Sequence, residues 1–103
     1  MKISQIRTSD ICNHIREIEE ELDEEDLKLL ETMKRAAIRY CCTYTGLKEE
    51  ELDKYEDITV AFLMLIADMW DNRAAHSDKL QHHFLANEIL SMHATNLIPS
   101  GEV

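Results

Sequence analysis

Histidine and cysteine are the side chains of this chain best suited to chemistry, and their spacing argues against it. His76, His82, His83 and His93 crowd the last third, while Cys12, Cys41 and Cys42 lie elsewhere. A zinc centre needs three or four ligands at fixed intervals. Here no His-x3-His pair exists, and the neighbours His82 and His83 diverge by about a third of a turn on a helix. Solvated or packing histidines are expected, with no metal and no cofactor. An odd number of cysteines without Cys-x2-Cys spacing makes a poor disulfide framework. Reduced thiols in a cytoplasm are the natural reading. Cys41 and Cys42 belong to no recognisable motif that sets a cationic partner beside a thiol to lower its pKa, so core packing is expected of them.

Carboxylates are abundant but badly arranged for catalysis. General acid/base work wants two carboxyls held across a pocket with divided pKa values. Eight of the ten residues from Glu17 to Asp26 are acids, and none is basic. Such a run suits a solvated connection. Asp68 differs, because it interrupts an apolar stretch. A buried acid must be paired or hydrogen-bonded, and Asn72 one turn on, Arg73 or a base of another helix could serve. There is no Gly-rich phosphate loop, nucleophile elbow or long heptad run. No catalytic residue can be named, and the chain is not expected to be an enzyme.

The elements behind these side chains are set by one segment. Eleven of the thirteen residues from Ile58 to Trp70 are apolar, uninterrupted by Gly or Pro. A helix of that composition has no face for water and should be wrapped by protein, as the core axis or as a core axis that also feeds a subunit interface. It is too short to cross a bilayer, which takes about 20 residues. Trp70 at its end suits a core and an interface anchor equally.

Two Gly and one Pro among 103 residues leave few turns, and helix formers dominate. An all-α single domain over residues 1–103 follows: a bundle of about four helices around a central apolar helix, 58–72. Thr8 or Ser9 can cap a short first helix with Ile11, Ile15 and Ile18 as its stripe. A long second helix should run over 24–45, its acids at the positive end of the helix dipole. Leu27, Leu30, Met33, Ala37, Cys41 and Tyr44 form its apolar stripe, Glu31 and Arg35 an i,i+4 pair, and Gly46 its stop. The next stretch, Leu47 to Tyr55, reads as a polar connector anchored by Leu52 and Tyr55, and Asp57 as the cap of the apolar helix. A last helix over about 83–96 should place Phe84, Ile89, Leu90, Met92 and His93 in contacts, before a short flexible tail, 97–103.

The formal net charge is -10, from 21 acids against 11 bases. Such a surface repels nucleic acid backbones and anionic membranes. No signal peptide is visible at the start. Within this acidic chain, Lys34, Arg35 and Arg39 make a basic stretch on the long helix.

Several strings, in order, resemble the small head–tail connector (adaptor) proteins of long-tailed bacteriophages and their prophages. Asp23-Glu24-Glu25-Asp26-Leu27 opens a long helix that closes on Tyr40-Cys41-Cys42-Thr43-Tyr44-Thr45-Gly46. Asp57-Ile58-Thr59-Val60-Ala61 leads to Asp68-Met69-Trp70-Asp71-Asn72-Arg73, with Trp where the family often has Tyr. The string Ile89-Leu90-Ser91-Met92-His93-Ala94-Thr95-Asn96-Leu97 is similar to the family's C-terminal helix in its Gram-positive branch. The resemblance covers about residues 3–98. It implies a structural protein of the virion head–tail interface, made in the host bacterial cytoplasm. About twelve copies would close into a ring. That ring would sit beneath the portal protein, link it to a downstream head-completion or tail protein, and let DNA pass without sequence-specific contact. No membrane, activity or cofactor is implied. Contacts are then expected from Asp23, Glu24 and Asp26 towards Lys34, Arg35 or Arg39 across the ring. Further contacts are expected at Trp70, Asp71, Asn72 and Arg73, and from a tail (Leu97, Ile98) that orders on docking. The competing expectation is a small acidic regulatory or DNA-mimic binder.

Overall fold

A computed structural model describes residues 2–72 and 83–94, with the side chains of 83 and 84 left aside. The described chain is all-α, with no strand. After a 3₁₀ turn at Ile3–Gln5 come α1 (Thr8–Ile15), a second 3₁₀ turn (Glu19–Glu21), α2 (Glu24–Thr45), the single turn α3 (Glu49–Leu52), α4 (Glu56–Asn72) and α5 (His83–Ser91). Helix α4 packs on α5, α2 and α1, so it is the axis of the bundle. Asn96 and the tail from Leu97 lie outside the described residues, as do Ala74 to Gln81.

Helix starts depend on carboxylates reaching back. Asp10 Oδ2 accepts the Arg7 N–H at 2.9 Å, and Glu51 Oε1 accepts the Lys48 N–H at 2.8 Å. Arg7, not Thr8 or Ser9, is therefore the cap of α1. Asp23 caps α2 by accepting the Asp26 N–H at 2.8 Å. Helix α2 occupies 24–45 as its stripe predicts: Leu30, Met33, Ala37 and Cys41 are buried, and Leu27 and Tyr44 half-buried. Its end is built by Thr45, whose hydroxyl donates to the Cys41 carbonyl at 2.7 Å and accepts the Leu47 N–H at 3.1 Å. Gly46 then turns left-handed at φ 79°. Glu31 and Arg35 form no ion pair among the described residues.

Three expectations need correction. Helix α4 begins at Glu56, so Asp57 lies in its first turn and is not its cap. Helix α1 ends at Ile15, which leaves Ile18 beyond the stripe and 56% exposed. Helix α5 stops at Ser91, and Met92 is 69% exposed instead of packed.

Among the described residues, one side of α4 is left partly open. Ile58, Ala61, Phe62, Leu65, Ile66 and Trp70 are buried, but Val60 is 50% exposed and Leu63, Met64 and Ala67 are half-buried. Those four recur at steps of three and four, so they share one side. The neighbours enclose roughly two-thirds of the helix circumference, at 100° per residue, and leave an apolar strip between Glu56 and Asp71. Phe62→Ala is expected to cost about 3–5 kcal/mol, and Val60→Thr about 0.5 kcal/mol or less, in urea unfolding. Equal losses at the two positions would contradict this orientation of α4.

Candidate functional site

Two charged faces stand out, and the first is the acidic connection. Arg16 closes α1 in the left-handed region at φ 63°, and the Glu17 N–H donates back to the Cys12 carbonyl at 2.9 Å. This reversal swings Glu17 under the end of α4. There the Trp70 indole Nε1 donates to Glu17 Oε2 at 3.1 Å. Trp70 is 2% exposed, so its ring belongs to the subunit core and offers no outer surface. Ile18 is exposed and precedes the turn Glu19–Glu21, which Leu22 closes by donating its N–H to the Glu19 carbonyl at 3.1 Å. Leu22 packs against the core. The acidic run is thus a folded turn held at both ends, not a loose connection.

The residues expected to carry its charge divide in two. Asp23 Oδ1 holds the start of α2 and Asp26 is half-buried. Glu20, Glu21, Glu24 and Glu25 stand exposed. The field of the run reaches the neighbouring thiol: burial first, then Glu19, Glu17 and Glu20, push Cys12 above its ordinary value.

The second face is the outer side of α2. Lys28, Arg35 and Arg39 are exposed, at spacings of seven and four that put them on one stripe. No described residue pairs with Arg35 or Arg39. Lys34 is separate, since its Nζ donates to the Ile6 carbonyl at 3.1 Å and so pins the N-terminal segment. Arg35 and Arg39 border an open groove of about 600 Å³ with Ala36, Ile38 and Cys42, walled on the α3 side by Glu49. Burial, then Glu49 and Glu50, raise the Cys42 thiol. Its neighbour Cys41 is pushed up to about 12, by burial and then by Cys42. Neither thiol is an activated nucleophile at neutral pH.

The two faces do not meet within one chain. From Asp23 the helix rises about 18 Å to Arg35 and about 24 Å to Arg39, at 1.5 Å per residue. The acidic turn instead packs beside α1, next to Ser9, Cys12 and Asn13. Comparison with family models, with curated protein sequences and with solved structures returned no match. The remaining expected contact residues lie at the end of α4. Asp71 is exposed there, Asn72 turns inward, and Arg73 falls outside the described residues with Leu97 and Ile98.

Asp68, 4% exposed, receives the Asn72 Nδ2–H at its Oδ1 (2.9 Å) and at its carbonyl (2.8 Å), which is the pairing anticipated from spacing. His93 packs on Tyr55 with ring centroids 4.4 Å apart, and its Nε2 lies 2.8 Å from both oxygens of Asp57. This histidine ties the end of α5 to the start of α4. Likewise the Tyr40 hydroxyl donates to Asn87 Oδ1 at 2.7 Å, joining α2 to α5. Sequence reasoning missed these long-range pairs. One signal was present for Trp70, because a buried indole N–H requires an acceptor. Among the described residues no group of three or more His, Cys, Asp or Glu is placed to hold a metal.

A further pair lies next to α3. The Ser4 N–H donates to Asp53 Oδ1 at 3.1 Å, which ties the N-terminus to the turn after α3. Hydrogen bonding from Ser4, side chain first, holds the Asp53 carboxyl below its ordinary 3.8. A depressed folded-state pKa stabilises the fold above 3.8, and the contribution is lost as pH falls through the lower folded value. Asp53→Asn is therefore expected to destabilise at neutral pH, with the deficit shrinking in urea melts as pH falls below 3.8. A deficit that stays constant with pH would contradict the assignment.

Proposed function

We propose that this chain is a structural subunit of a virion head–tail connector. Copies assemble into a ring beneath the portal protein, join it to the next head-completion or tail protein, and surround the channel by which DNA leaves the head. The observation that carries the reading is the separation of an exposed acidic turn from an unpaired basic strip. Closure into a ring uses heterologous contacts, in which one face of a subunit meets a different face of its neighbour. A subunit with two complementary faces too far apart to neutralise each other is suited to that geometry.

The net charge of -10 supports the same reading. A basic channel wall would grip the phosphate backbone and retard DNA, whereas an acidic one lets it pass. The reading gives the chain no catalytic step and no cofactor, and locates it at the virion head–tail interface after assembly in the host cytoplasm. No helix among the described residues is long and apolar enough to cross a membrane.

The exposed acids Glu20, Glu21, Glu24 and Glu25 favour a second reading, an acidic binder that imitates nucleic acid. They sit on one 3₁₀ turn and the first turn of α2, elements of only about 6 Å each. A charge mimic needs acids spread over several phosphate spacings, so the connector reading is preferred. Co-expression with the portal protein of the encoding phage or prophage is the test. Electron microscopy is expected to reveal an added ring of this chain beneath the portal. Portal rings that remain bare while this chain sits beside them as a folded monomer would contradict it.

A further inference from the structure

The connector reading leaves the ring contact itself unspecified, and the free charges specify it. Asp23 is occupied at the start of α2, Glu17 by the Trp70 indole and Lys34 by the Ile6 carbonyl. Among the described residues the exposed acids of the run are then Glu20, Glu21, Glu24 and Glu25, and of these Glu20 and Glu21 follow the exposed Ile18 on a turn of their own. On the outer stripe of α2, Lys28, Arg35 and Arg39 have no ion-pair partner among the described residues, and of these Arg35 and Arg39 line the groove.

We propose that the turn Ile18–Glu21 of one copy seats in the α2 groove of a second copy, with the exposed Glu20 and Glu21 meeting Arg35 and Arg39. Three features match. Arg35 and Arg39 lie about 6 Å apart along the helix, one turn of α2, and so present two guanidinium groups to a single short acidic turn. The groove floor is apolar, from Ala36, Ile38 and Cys42, and the turn brings an exposed isoleucine. Arginine pairs with carboxylate in a bidentate fork, so two arginines on successive turns define a register as well as an attraction.

Glu49 sets the direction of approach. It walls the groove on the α3 side, so an acidic turn is repelled there and enters from the opposite side, past Thr32. The donor and acceptor faces are different parts of the chain, and about 18 Å or more of α2 separates them. Each subunit can therefore engage two neighbours at once, and the contact propagates head to tail. The contact depends on the connector reading for closure into a ring, and on the two faces alone for association.

Reciprocal charge reversal in the full chain tests it. Sedimentation and native mass spectrometry are expected to detect concentration-dependent association of the parent chain at low salt, weakening as salt screens the pairs. Arg35→Glu with Arg39→Glu, and separately Glu20→Lys with Glu21→Lys, are each expected to weaken association by about tenfold or more while circular dichroism and melting are unchanged. Mixing the two variants restores opposite charges at every contact, so association should recover to near the parent level. Variants that associate like the parent, or a mixture no better than its components, overturn the contact and leave the portal experiment standing. A parent chain that stays monomeric yet binds a polyglutamate peptide through Arg35 and Arg39 assigns the groove to a different acidic protein, and also overturns it. A parent chain that does neither overturns it outright.

Discussion

The enclosure of α4 is the constraint from which the rest follows. A helix with eleven apolar residues in thirteen cannot stand alone in water, so α1, α2 and α5 are arranged around it. Burial of six large or close-packed residues along its inner arc supplies the driving force, each large one contributing about 1.5–3 kcal/mol on transfer from water. The polar contacts then fix angles. Trp70 ties the end of α4 to Glu17, and His93 with Asp57 ties its start to the end of α5. Asp68 is tolerated in the core because Asn72 reaches it from one turn away.

This arrangement decides what reaches the outside. Because the core is built on α4, α2 lies across it with its inner stripe covered, and Lys28, Arg35 and Arg39 face water. Because Trp70 needs an acceptor, Glu17 is drawn inward and the acids after it project as a short turn. The charge separation on the surface is thus a consequence of how the interior is satisfied. Thiols are removed from chemistry by the same packing, with Cys41 at the centre of the α2 stripe.

Much of the fold was legible in the sequence because helix α2 carries its own signals. Asp23 at its start, steps of three and four along its apolar stripe and Gly46 at its end all act locally. The start of α1 was misread because Thr8 and Ser9 are better capping types than Arg7, yet Asp10 three residues on decides the matter from the far side. Helix α4 is expected to be wrapped because eleven of its thirteen residues from 58 to 70 are apolar. Composition cannot tell which side of such a helix the rest of its own chain leaves open, and among the described residues Val60 falls there. The candidate contact residues were legible only as charge signs. Which of them are free depends on pairs such as Lys34 with Ile6, 28 residues apart, that no local pattern announces.

Native-state hydrogen exchange on the isolated chain tests the central role of α4 most directly. If the enclosed arc is what holds the bundle together, the amides of Phe62, Leu65 and Ile66 exchange only by global unfolding, with a free energy equal to that from denaturant melts. Exchange of those amides by a smaller, local opening while α2 stays protected would show that the bundle stands without its axis, and would contradict the account.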